Sequence, residues 1–178
     1  MEIKTKLKEV VEWLVKEYTG IRTGQANPAL LDSIKVESYG SFLPIQQVGS
    51  VGIEDVKTLR IVPWDNSQVV AVEKAIREAD LGLSVVTDSA GLRVIFPELT
   101  GERRQQLVKL AKSKLEDARI TVRSVRDEEM KKNDKAFKDK EISEDEKNAQ
   151  KDKIQQAVDE TNAELERTFV GKEKELQK

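Results

Sequence analysis

Apolar residues recur at alternating steps of three and four near the start of the chain: Ile3, Leu7, Val10, Leu14 and Ile21, with Val11 and Tyr18 beside them. Charged residues fill the other side. This spacing predicts an amphipathic helix over residues 2–22 with one buried stripe. Thr23-Gly24 and the nearby Pro28 predict its end, because glycine accepts a left-handed cap and proline cannot continue a helix. A second helical pattern covers residues 100–140, with an apolar seam of Ala111, Leu115, Ala118, Val122 and Val125 and no proline. At about 1.5 Å per residue it would reach roughly 60 Å, a length that suits an elongated bundle. Beyond Arg126 the seam thins to Met130, Ala136 and Phe137. Ser143 and Glu146 have the spacing of a capping box, and Glu144 and Asp145 suit the positive end of a helix dipole. A third helix follows to the C-terminus, with Ile154, Val158, Leu165 and Phe169 on one face. Such helices are unstable singly; antiparallel packing buries all three stripes.

Residues 29–98 have a different rhythm. Ser33–Glu37 alternates like a half-exposed strand, and Tyr39-Gly40-Ser41 reads as a turn. Thr58–Val62 is a second strand closed by Pro63, and Leu92–Phe96 a last one stopped by Pro97. Ser67 is the predicted cap of a short helix through Ala79, and Asp88-Ser89-Ala90-Gly91 has turn chemistry. The expected fold is α+β. An elongated antiparallel three-helix bundle, residues 1–28 plus 99–178, carries a small inserted domain of mixed strands and helix at 29–98. Two short crossings, Thr23–Ala29 and Phe96–Gly101, join them. They read either as plain connectors or as a two-strand hinge that bends more easily than it twists.

Composition narrows the chemistry. Aromatic residues are only 4% against 38% hydrophobic, so the core must be aliphatic. The chain has no His and no Cys. That excludes a Ser-His-Asp triad, a thiol nucleophile, a disulfide frame and a thiolate metal site. Carboxylate acid–base chemistry and an oxygen-ligated Mg²⁺ site stay open. The lack of disulfides leans toward the cytoplasm. The first residues lack the apolar run of a signal peptide, and no stretch approaches the roughly 20 apolar residues of a membrane span. No phosphate-cradling glycine loop is present. The acidic run Glu141–Glu146 reads as a helix start, with no metal expected, and Trp13 and Trp64 read as packing residues.

The net charge of −2 hides an uneven distribution, because residues 101–126 sum to +5 while 26–100 and 141–178 each sum to −4. Within the basic stretch Lys112, Arg119 and Arg126 lie one heptad apart and Arg123 four after Arg119. At 100° per residue they fall within about 60° of each other, beside the apolar seam. The strip reads either as a phosphate-binding surface or as a solvated flank paired with acids such as Asp159 or Glu160.

Five segments are particular enough to carry a resemblance: IRTGQANPALLDSIKVESYG at 21–40, EKAIREADLGL at 73–83, LTGERRQQLVK at 99–109, ITVRSVRDE at 120–128 and KEISEDE at 140–146. In this order, along the whole chain, they resemble the ribosome recycling factor family. The resemblance implies a monomeric cytoplasmic factor, not an enzyme and without a cofactor. Such a factor binds the post-termination ribosome with its bundle across large-subunit rRNA and, with elongation factor G and GTP, splits the subunits. It also implies rRNA contact by Arg22, Lys112, Arg119, Arg123 and Arg126, of which Arg123 and Arg126 match the family's basic pair most directly. Thr23, Gly24 and Pro28 with Leu99 and Thr100 would form the hinge. The chain departs from the family pattern at Gln25 and Asp127, where arginine is common, at Gly101 in place of glutamate, and at Ser84-Val85 in place of Asn-Pro. A reading from another class is a coiled-coil adaptor or chaperone that binds protein rather than RNA.

Overall fold

The structure is a computed structural model and describes residues 2–178. Backbone contacts divide the chain into two compact units: the chain up to Tyr18 with Val108–Glu175, and Thr19–Leu107 with Leu176–Lys178. These divisions fall earlier on the first crossing, and later on the second, than the expected 28/29 and 98/99 boundaries. The reason is bonding of the connectors. Ala26 N–H donates to Val56 O at 2.7 Å and Phe96 N–H to Lys57 O at 2.7 Å, which draws both crossings into the second unit. Arg104 adds the next turn of chain, donating to the carbonyls of Leu99 at 3.3 Å and Leu176 at 3.2 Å.

The first unit is built from three helices, α1 (Glu2–Thr19), α4 (Gly101–Lys138) and α5 (Glu144–Gln177). α1 stops just before Gly20, a poor helix former, rather than running on to residue 22. Its buried stripe is Ile3, Leu7, Val10, Leu14 and Tyr18; Ala111, Leu115, Ala118 and Val122 of α4 and Ile154, Val158 and Leu165 of α5 are buried too. Cross-helix pairs fix the directions. Tyr18 and Glu17 meet Ala111 and Lys114, whereas Lys6 meets Glu128, so α1 and α4 are antiparallel. Arg119 meets Glu166 and Asp134 meets Lys147, so α4 and α5 are antiparallel as well. Where the apolar seam thins, Asn133 is buried and its amide donates to Lys147 O at 2.9 Å. The capping box forms as the spacing predicts: Glu146 N–H donates to Ser143 Oγ at 3.2 Å, and Ser143 N–H to Glu146 Oε2 at 2.7 Å.

The second unit holds β1 (Lys35–Ser38), β2 (Ser41–Pro44), the short α2 (Ile45–Val48), β3 (Gly49–Asp55), β4 (Thr58–Pro63), α3 (Val69–Glu78), β5 (Ser84–Asp88) and β6 (Gly91–Ile95). β1 and β2 form a hairpin, and the other strands an antiparallel sheet in the order β3-β4-β6-β5. Leu59 pairs with Val94 and Ile61 with Leu92, placing four aliphatic side chains on one face. Val72 and Ile76 of α3, with Leu30, Leu31, Ile34 and Phe96, complete that core. The short helix is opened by Asp65, not Ser67: the Asp65 side chain accepts from Ser67 N–H at the start of a 3₁₀ turn that runs into α3. At the β5–β6 turn Gly91 has φ +132, and a Cβ there would strike the Ile61 carbonyl oxygen, so only glycine fits. Trp64, expected to pack, is 70 % exposed.

Candidate nucleic-acid interface

Burial of the α4 seam fixes the rotation of that helix within the bundle, and with it the direction of the basic strip. Lys112 and Arg123 are exposed, and no hydrogen bond or ion pair engages either among the described residues. Their charges are therefore open to a ligand. Arg119 lies closer to the neighbouring helix, forming ion pairs with Glu116 at 2.7 Å and with Glu166 of α5. Arg126 is partly buried; its Nε is enclosed without a hydrogen bond and makes only a long ion pair with Asp127 at 4.0 Å. The flank acids expected to neutralise the strip do not. Asp159 accepts from Gln155 at 2.8 Å and Glu160 from Gln156 at 3.1 Å, and it is Glu166 that reaches α4. Exposed pairs of this kind contribute about 0–1 kcal/mol, so Arg119 can exchange its carboxylates for a phosphate at little cost.

Lys109 belongs with this strip, two heptads before Arg123. It is exposed and unengaged among the described residues. Its position three before Lys112 was the signal, since residues three apart on a helix are neighbours. No aromatic side chain stands among these cations at the exposed positions of α4. The arrangement therefore suits phosphates held by charge and by guanidinium forks, rather than stacked bases.

Arg22 lies in the second unit, away from this strip in sequence and in its bonding. Its guanidinium donates to Gly82 O and to Pro97 O and sits over the Phe96 ring, 5.9 Å from the centroid. The residues expected to form a hinge fall in the second unit too, and several have structural duties. Pro28 opens a 3₁₀ turn, Pro28–Leu31, capped by the Asn27 side chain. Leu99 is buried, and Thr100 caps α4 by accepting from Arg103 N–H at 3.1 Å. A Cβ on Gly24 would meet nothing, so nothing local demands glycine there.

The family model described as Ribosome recycling factor matches residues 14–176. A ribosome-recycling factor of Chlorobium phaeobacteroides is 43% identical over 171 residues, 96% of this chain and 92% of that protein. The solution structure of a ribosome recycling factor superposes with a TM-score of 0.77 at 38% identity, over 99% of this chain and 94% of that one. A second solved structure has a TM-score of 0.66 at 37% identity, over 98% of this chain and 95% of that one. It describes the T. thermophilus ribosome recycling factor and the E. coli elongation factor G bound to the E. coli post-termination complex. Fold, motif order and near-complete coverage agree: this chain belongs to the ribosome recycling factor family of non-enzymatic translation factors.

Proposed function

We propose that this chain acts in the cytoplasm as a monomer, binding the post-termination ribosome through the α4 strip and splitting its subunits together with elongation factor G and GTP. The observation that carries the reading is the pair of unengaged cations, Lys112 and Arg123, on a helix whose orientation is fixed by its buried seam. Lys112, Arg119, Arg123 and Arg126 contact large-subunit rRNA phosphates, with Lys109 beside them. The GTPase supplies the free energy, and this chain supplies a stiff lever. α4 runs 38 residues without a break, about 57 Å at helical rise, and transmits a push without absorbing it. The connector residues 20–21 and 98–100, which carry neither α-helix nor strand, give the inserted domain its articulation. The elongation factor G partner is supported by the likeness to the factor solved with that GTPase on the post-termination complex. Among the described residues no helix is long and apolar enough to cross a membrane.

Salt dependence tests the strip. Four phosphate contacts predict that log affinity for ribosomes falls against log salt with a slope on the order of −3 to −4. Arg123→Ala is expected to flatten it by about one. A salt-independent association would instead favour a protein-binding adaptor.

A further inference from the structure

We propose that Arg22 is a positioning residue that locks the entry and exit segments of the inserted domain to each other, rather than a phosphate contact. Its Nη1 donates to Gly82 O at 3.3 Å, in the turn between α3 and β5, and its Nη2 donates to Pro97 O, on the segment leaving β6. The guanidinium carbon lies over the Phe96 ring, 5.9 Å from its centroid, and Nε is buried without a hydrogen-bond partner. One planar fork thus bonds two carbonyls from separate parts of the chain while its carbon sits over the ring of the residue between β6 and Pro97. A lysine, with a single nitrogen at the end of a flexible stem, cannot reproduce that geometry.

The rest of the entry segment is held as well. Ala26 N–H and Phe96 N–H donate to Val56 O and Lys57 O, adjacent carbonyls of the β3–β4 turn, and Lys57 Nζ pairs with Glu98 at 2.6 Å. Thr23 and Gly24 therefore sit in a short loop fastened at both ends, at Arg22 and at Ala26. Residues 22–26 and 96–97 move as part of the inserted domain. Articulation on the entry side is confined to the chain N-terminal to Arg22, not to Thr23, Gly24 and Pro28. Gly82 fits the same design: its φ is +71, and a Cβ there would stand 3.4 Å from Arg22 Nη1.

The inference rests on the ribosome-splitting activity of the family, and the test separates it from the reading of the α4 strip. The chain has no cysteine, so labels attached to Lys8→Cys and Lys74→Cys report the distance distribution between the two units without interference. Into this background go Arg22→Gln, Arg22→Lys and Gly82→Ala, each assayed below its own melting transition, with Arg123→Gln as the strip control. Arg22→Gln and Arg22→Lys are expected to broaden the distance distribution and to slow splitting by elongation factor G and GTP about tenfold at saturating factor, as lost positioning does. Both should keep the wild-type salt slope of ribosome binding. Gly82→Ala, which removes no charge, should broaden the distribution too. A salt slope flattened by about one in Arg22→Gln but retained in Arg22→Lys would make Arg22 a phosphate contact and overturn the proposal. An unchanged distance distribution in all three variants would overturn it as well. A flat response of Arg123→Gln would count against the α4 strip alone.

Discussion

The Tyr18 hydroxyl donates to the Ala111 carbonyl oxygen at 2.7 Å from a side chain only 4 % exposed. Burial first, and then the Glu166 carboxylate, push its pKa up to about 12, with Arg119 opposing. The folded state thus holds the neutral phenol more tightly than the unfolded chain, where it titrates near 10. Its contribution is complete below pH 10 and is lost as pH rises toward 12, up to roughly 2–3 kcal/mol. Tyr18→Phe is expected to remove that alkaline loss relative to the wild type in urea titrations at pH 9 and 11.5. It should lower stability at pH 7 by about 1 kcal/mol, the net contribution of one hydrogen bond. Equal alkaline slopes in the two proteins would show that another group is responsible. Single residues also separate what the sequence carries from what it does not. Lys112 and Arg123 were legible because helical spacing alone puts them on one strip. The bonding of Arg22 was not, since its partners lie 60 and 75 residues further on.

Elements follow the same logic. The capping box at Ser143 joins side chain to backbone in both directions across the first turn of α5, and Ser143→Ala is expected to lower the melting stability by about 1 kcal/mol. Ser143→Asp should recover most of it. On the outer face of the sheet, Arg60 reaches Glu54 at 3.0 Å and Asp88 at 2.7 Å, while Arg93 reaches Glu54 at 2.8 Å, linking all four strands. Arg60, followed by Arg93, holds the Glu54 carboxyl below its ordinary pKa, and Arg60 does the same to Asp88. A depressed folded pKa stabilises above the unfolded value and is lost as pH falls through the folded one. Glu54→Gln, which resembles the protonated carboxyl, should therefore lower the melting temperature modestly at pH 7 and converge with the wild type below about pH 4.5, flattening the acid fall. The helices and the central strands β4 and β6 were legible because their buried positions repeat at a fixed period. β3 and β5 were not, for they are edge strands with few buried side chains and, in β3, two glycines. The four-residue β2 has no fully buried side chain to mark it.

At the scale of the molecule, each compact unit has its own core. The buried cluster of the second unit draws only on residues from Leu30 to Phe96, a continuous stretch. A polypeptide of residues 19–107 is expected to melt cooperatively on its own. A broad, non-cooperative melt would show that its sheet needs the helices. The division into bundle and insert was legible because the hydrophobic period changes near residue 29 and changes back near 98. The actual divisions were not, since they depend on connector hydrogen bonds that no periodicity reports. The bundle, in contrast, is discontinuous: the stripe of α1 is complete by Tyr18, but its partners on α5 begin only at Ile154. Chains are synthesised at about 5–20 residues per second, so α1 emerges roughly 7–30 s before the helix that covers it. Over that interval the inserted domain and the α4 seam are made, while Ile3, Leu7, Val10 and Leu14 still lack their α5 partners. A factor that frees ribosomes is thus unable to close its own bundle until α5 has been made.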